Sequence, residues 1–227
     1  MHVDFAAERG VEAALSGPSG GVVAAAYLGK LTDFSDLITM DMGGTSYDVC
    51  VIKAGRPELS SNYWLSRYRI GLPMIDIHTI GAGGGSIAWM DKGGGLRVGP
   101  QSAGADPGPA CYDLGGKEPT VTDADVVLGY IDPNYFLGGR VKLEVELARK
   151  AIEKSIARPL GLSLMEAASG IFRIVNNNMN NAIRYVSVMR GRDPRDFALM
   201  AFGGAGPVHA GAQVRDLKIK TILVPKT

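Results

Sequence analysis

Two kinds of apolar spacing run along this chain. Residues 37–42, LITMDM, form an apolar run interrupted only near its end by an aspartate, and predict a buried strand. Residues 46–55, SYDVCVIKAG, put Tyr47, Val49 and Val51 on one face and Asp48 and Cys50 on the other, which predicts a second strand. The run 74–80, MIDIHTI, predicts a third. IAWMDKGGGLRVG predicts a hairpin that turns over residues 91–95. FALMAF and TILVP predict two more strands near the end of the chain.

Helical spacing fills the intervals. GGVVAAAYLGKL predicts a short apolar helix over 20–31, whose opening glycine pair could turn backbone N–H groups toward a ligand. Residues 143–157 predict an amphipathic helix. Ser163 to Glu166, SLME, is a capping-box pattern. It opens a helix with apolar residues at Leu164, Ala168, Ile171, Val175, Ala182, Val186 and Met189, which should end near Gly191. GGAGP predicts a turn, and a helix starts at Pro207. Strands alternating with helices predict an α/β domain over 1–227, with residues 1–15 as a truncated edge. Residues 96–120, rich in Gly and Pro, predict a long ordered loop.

Composition narrows the function classes. The chain has 227 residues, is 46% hydrophobic and 21% charged, and carries a formal net charge of +1. No basic run and no apolar run of about 20 residues occurs, so neither nucleic acid nor a membrane is indicated as partner. Cys50 and Cys111 make no CxxC motif and read as reduced cytoplasmic thiols. The 31 glycines are clustered between elements, where backbone must turn tightly or approach something closely.

The frame DMGGTSYD carries the clearest chemistry. Glycines let backbone amides converge on a phosphate, Thr45 adds a hydroxyl, and Asp41 and Asp48 can hold Mg²⁺ directly or through water. A strand follows rather than a helix, and no GK[ST] ending is present, so this is not a Walker-type loop. A hairpin without a ligand is the competing reading for the glycine pair alone. FGGAGP lies between a strand and a helix, where α/β sheets place ligands, although a tight turn is the plainer reading of it alone. HTIGAGGGS lacks the βαβ setting of a dinucleotide site. His78, one of three histidines with His2 and His209, reads as a core residue or a ligand. In TVTDAD, Thr122 or Asp123 reads as a helix cap, with the carboxylates as the alternative. Asn177, Asn181 and Arg184 read as a solvated helix face.

The order of LSGPSGG, ITMDMGGTSYDV, HTIGAGGGSIAW, LRVGPQSAGADPGPACY, PTVTDADVVLG and AFGGAGPVHA resembles the hydantoinase A/oxoprolinase family over residues 15–225. That family includes ATP-dependent hydantoinases and oxoprolinases and the ATP-using subunits of acetone and acetophenone carboxylases. Its usual member has threonine where Tyr47 stands and often asparagine where Asp125 stands. The resemblance implies an actin/sugar kinase/Hsp70-like fold made of ribonuclease-H-like domains. It makes DMGGTSYD the second phosphate hairpin and FGGAGP the adenosine loop. By the same resemblance Gly43, Gly44 and Thr45 bind phosphate oxygens of ATP, and Gly203, Gly204, Ala205 and Gly206 approach the adenosine. Asp41 and Asp48 are the candidate catalytic residues. Asp41, with His78 and Asp123, is the candidate site for Mg²⁺ or another divalent metal. The family's earlier hairpin, D-x-G-G-T-F-T-D, does not occur here. The resemblance therefore implies an ATP-dependent component opening a cyclic amide, or carboxylating a ketone, that needs an N-terminal part with that hairpin and a B-type subunit. A non-catalytic nucleotide-binding assembly module is the rival reading.

Overall fold

The computed structural model describes residues 3–65 and 67–226. One mixed sheet organises the chain. Its central strand β1 (Leu37–Met42) pairs in parallel with β7 (Ala198–Phe202), and β7 pairs in parallel with β8 (Ile222–Leu223). On its other side β1 pairs antiparallel with β2 (Tyr47–Lys53). The far edge of β2 is shared by β3 (Arg56–Pro57) at one end and β4 (His78–Ile80) at the other. Outside this sheet, β5 (Ser86–Met90) and β6 (Leu96–Ser102) form the hairpin expected around Asp91, whose Oδ1 accepts the Gly93 and Gly95 N–H groups.

Both faces of the sheet are covered. Helix α1 (Ser16–Leu31) lays Val22, Ala25 and Ala26 on one face, against Leu37, Cys50, Ile52, Ala198 and Met200. The other face meets α2 (Val121–Val127), α3 (Val145–Ile152), α4 (Leu164–Val186) and α5 (Gly206–Leu217). Within α4, Ile171, Val175, Met179 and Ile183 recur at intervals of four and are fully buried. Each such side chain contributes about 1.5–3 kcal/mol of apolar burial.

Sequence and structure differ in informative places. α1 begins at Ser16, so Gly20 and Gly21 lie inside the helix rather than opening it. Pro18 is tolerated because the N–H groups of a first turn need no helical acceptor. Cys50 is as buried as Val49, because helices cover both faces of β2. Residues 96–102 are strand, which removes them from the long loop. α4 ends at Val186, and a 3₁₀ turn (Val188–Arg190) carries the chain to Gly191 in the left-handed region, φ 75°. The capping box of α4 forms as expected: Glu166 N–H donates to Ser163 Oγ, and Ser163 N–H to Glu166 Oε2 at 2.9 Å. Both cysteines are free and buried, and burial first, then Asp76 and Glu58, pushes the Cys50 thiol up to about 12. No helix among the described residues is long and apolar enough to cross a membrane.

Candidate functional site

Strands β1 and β7 run in parallel and end together, Asp41 beside Phe202. The chain leaves β1 into the hairpin 43–46 and leaves β7 into the loop 203–206, so both glycine segments emerge at one edge of the sheet. They touch directly, because Ala205 N–H donates to the Met42 carbonyl at 2.9 Å. The hairpin itself is closed by Gly43 N–H on the Ser46 carbonyl at 3.1 Å.

Asp41 faces Asp48 across the β1–β2 ladder, on the α1 side of the sheet. Burial and then the charge of Asp48 hold the Asp41 carboxyl above the usual carboxylate range. Thr79 Oγ1 donates a short hydrogen bond to Asp48 Oδ1. Glycine keeps Asp41 uncrowded, because a Cβ on Gly203 would stand 2.4 Å from Asp41 Oδ1. A Cβ on Gly21 would press on the Phe202 ring at 2.8 Å and reach Asp41 Oδ2 only at an ordinary 3.6 Å. Gly203 has φ +80°, a conformation side chains other than glycine rarely adopt.

Gly43, Gly44 and Gly204 differ from these. None lies in the left-handed region, and a Cβ on any of them would meet nothing within 4 Å. Neither backbone conformation nor packing within the described residues calls for glycine there. Gly44 and Thr45 are exposed, and their N–H groups donate to no acceptor among the described residues. Thr45 Oγ1 lies 3.4 Å from Ser102 Oγ. The hairpin therefore offers open backbone amides and a hydroxyl beside two carboxylates.

The triglycine stretch 83–85 supports the hairpin from behind. Gly84 N–H donates to the Gly43 carbonyl at 3.0 Å and Gly85 N–H to the Gly44 carbonyl at 2.6 Å. A Cβ on Gly83 would come within 2.5 Å of Gly44 C and Thr45 N. HTIGAGGGS is thus a backbone-on-backbone buttress, which explains its glycines without a dinucleotide.

Asp41, Asp48, Gly43, Gly44, Thr45 and the loop from Gly203 to Gly206 are brought to one edge; His78 and Asp123 are not grouped with Asp41. His78 lies next to Thr79 on β4 but points to the opposite face, where it stacks on Tyr185 with centroids 4.3 Å apart. Burial, and then Arg190, lowers its pKa. Asp123 is fully buried and is N3 of a capping box whose cap is Thr120. Its carboxylate accepts from Ala110 N, Cys111 N, Thr120 N and Thr120 Oγ1. Those four bonds occupy the lone pairs a metal would need. Among the described residues no three His, Cys, Asp or Glu side chains group so as to hold a metal ion. Asn181 accepts from Arg184 Nη1 at 3.1 Å on an exposed helix face that Asn177 shares.

Thr79 carries no signal in the sequence, while Gly21, expected to open a helix, and Thr122, expected as a cap where Thr120 caps, act instead through contacts distant in the chain. The carboxylates of TVTDAD, His209 and the dense asparagines of 176–181 are each visible in the sequence, but nothing local shows that Asp125, His209 and Asn176 meet.

The hydantoinase/oxoprolinase family model matches residues 1–227. The chain is 48% identical over 219 residues to caprolactamase subunit alpha of Pseudomonas jessenii, covering 96% of this chain and 32% of that protein. It is 45% identical over 211 residues to the acetophenone carboxylase gamma subunit of Aromatoleum aromaticum, covering 92% and 29%. The crystal structure of the ATP-dependent caprolactamase from Pseudomonas jessenii superposes with a TM-score of 0.86 at 48% identity, over 92% of this chain and 30% of that one. The chain thus spans about a third of the length of these relatives. The fold is the α/β actin-like, ribonuclease-H-like nucleotide-binding type. This chain belongs to the hydantoinase/oxoprolinase family.

Proposed function

We propose that this chain is the nucleotide-holding component of an ATP-dependent enzyme that opens a cyclic amide of the hydantoin, oxoproline or lactam type. The observation that carries the reading is the open glycine edge: Gly43, Gly44 and Gly204 are glycine where nothing in the described residues requires it. A phosphate needs that space, because its oxygens must reach the amides of Gly44 and Thr45 without meeting a Cβ. The Thr45 hydroxyl adds a donor on the same edge. The loop from Gly203 to Gly206 gives the nucleoside end a surface beside it.

Asp41 and Asp48 fit a divalent cation. Two carboxylates next to a phosphate site repel it unless a cation lies between them, and the charge of Asp48 adds to burial, the larger cause, in raising the pKa of Asp41. Asp41 is the residue for Mg²⁺ or a similar metal, and Asp48 is held in place by Thr79. His78 and Asp123 are not part of this set. Bound ATP supplies a phosphoryl group that turns an unreactive carbonyl oxygen into a leaving group. The chain's own part is to fix the phosphates with backbone amides and to orient the metal with Asp41.

Similarity to the acetophenone carboxylase gamma subunit supports a second reading, carboxylation of a ketone, with the same nucleotide site. Both relatives are named as subunits, which supports a partner chain, here read as the B type. This chain matches about a third of each, which leaves room in them for the part read as carrying the further phosphate hairpin. The test is ADP release by the chain with such a partner, in the presence of a lactam, a hydantoin, or a ketone with bicarbonate. ADP release that needs the cyclic amide supports the first reading, and dependence on ketone with bicarbonate supports the second. Hydrolysis that needs only the protein partner would make the chain an assembly module.

A further inference from the structure

The short helix α2 touches both sides of the site without lining it. At its first turn Thr122 binds the Gly84 carbonyl twice, through its N–H at 2.8 Å and its Oγ1 at 2.9 Å. Gly84 in turn donates to Gly43. One residue, Gly84, thus separates α2 from the hairpin. Three residues further on, Asp125 Oδ2 lies 3.3 Å from His209 Nε2. His209 is in the first turn of α5, directly after the loop from Gly203 to Gly206.

His209 is fixed from α4 as well. Asn176 Nδ2 lies 3.1 Å from His209 Nδ1 and donates to the Phe172 carbonyl at 2.8 Å, and the Phe172 ring stacks on the imidazole at 5.0 Å. With the Asn176 amide nitrogen set on Nδ1, the neutral imidazole carries its proton on Nε2, which stands 3.3 Å from Asp125 Oδ2 without completing a hydrogen bond to it. Asp125, Asn176 and His209 are all buried to 97% or more. Asp123, by two of its four bonds, locks the start of the same helix to the segment at Ala110 and Cys111. The helix that links the two loops is therefore itself held rigid.

We infer that α2 is a bracket that sets the spacing between the phosphate hairpin and the 203–206 loop, with Thr122 holding the hairpin side and Asp125 and His209 acting as positioning residues for the other. The inference rests on the reading that both loops serve one ligand. A dry core is a costly place for a carboxylate that only packs. Here the carboxylate joins the helix behind one loop to the helix that follows the other.

The test is residue-resolved amide exchange on the 227-residue chain without nucleotide. The reporters are the bonded amides of Gly43 and Gly85 on the hairpin side and of Ala205 and Val208 on the loop side. His209→Ala and the milder His209→Gln should speed exchange at Gly43 and Gly85, which His209 does not touch, by about tenfold as local opening becomes easier. Thr122→Val should do the same at Ala205 and Val208. Asp125→Ala should match His209→Ala, while Asp125→Asn, which keeps the shape and a polar oxygen against His209 Nε2, should restore slow exchange. Effects confined to each variant's own side would overturn the inference. So would an acceleration shared equally by β1, which reports general loss of stability. Calorimetry with Mg·ATP on the wild-type chain tests the nucleotide reading separately, since the exchange result does not depend on it.

Discussion

Gly203 and Asp41 stand so close that a methyl group on the first would lie 2.4 Å from a carboxylate oxygen of the second. The end of one parallel strand and the loop after its neighbour thus share a space that only glycine leaves open. Gly203→Ala should both strain the backbone, at about 1–2 kcal/mol for a left-handed alanine, and displace Asp41. The expected result is a lower melting temperature together with lost nucleotide binding, measured by thermal unfolding with and without Mg·ATP.

Gly43 and Gly83 make a paired contrast. A Cβ at 83 meets hairpin backbone at 2.5 Å, whereas one at 43 meets nothing. Gly83→Ala should cost about 1–3 kcal/mol through overpacking. Gly43→Ala should leave stability within about 0.5 kcal/mol, as surface changes usually do, yet weaken Mg·ATP binding. Urea unfolding and calorimetry on the two variants separate packing from ligand space.

Asp41 should trade stability for binding. Its folded pKa is raised by burial and by Asp48. A raised value means the folded state favours the protonated form, so its stabilising contribution is complete below the unfolded pKa, about 3.9. That contribution is lost as pH rises through the folded value. Without ligand at pH 7, Asp41→Asn should therefore melt above the wild type, with the difference shrinking toward pH 4. It should also lose the stabilisation by Mg·ATP expected of the wild type.

Tyr47 reaches across the core to α5, its hydroxyl donating to Gln213 Oε1 at 2.9 Å with both residues fully buried. Tyr47→Phe leaves that oxygen without its donor, which should cost about 1–3 kcal/mol. A lower urea midpoint with an unchanged slope is the expected observation.

Much of this fold could be read from the chain because its signals are local. The capping box at Ser163, the apolar stripe of α4 and the runs of β1 and β7 each specify their own element. The hairpin glycines were legible for the same reason. What escaped depends on contacts between distant segments. Between helix cap and metal carboxylate, the bonds from Ala110 and Cys111 decide for a structural Asp123, and between core residue and ligand, the stack on Tyr185 decides for a packed His78. The start of α1 was misread because Gly20 and Gly21 resemble an opening. Gly21 leaves room for the Phe202 ring, whose approach no local pattern reveals.

The central claim is that the 43–45 hairpin and Asp41 together hold a nucleotide, and calorimetric titration with Mg·ATP of the chain and of Asp41→Ala tests it most directly. The account predicts binding by the wild type that weakens at least about tenfold, roughly 1.4 kcal/mol, in the variant. No binding by the wild type, or equal binding by both proteins, would contradict it.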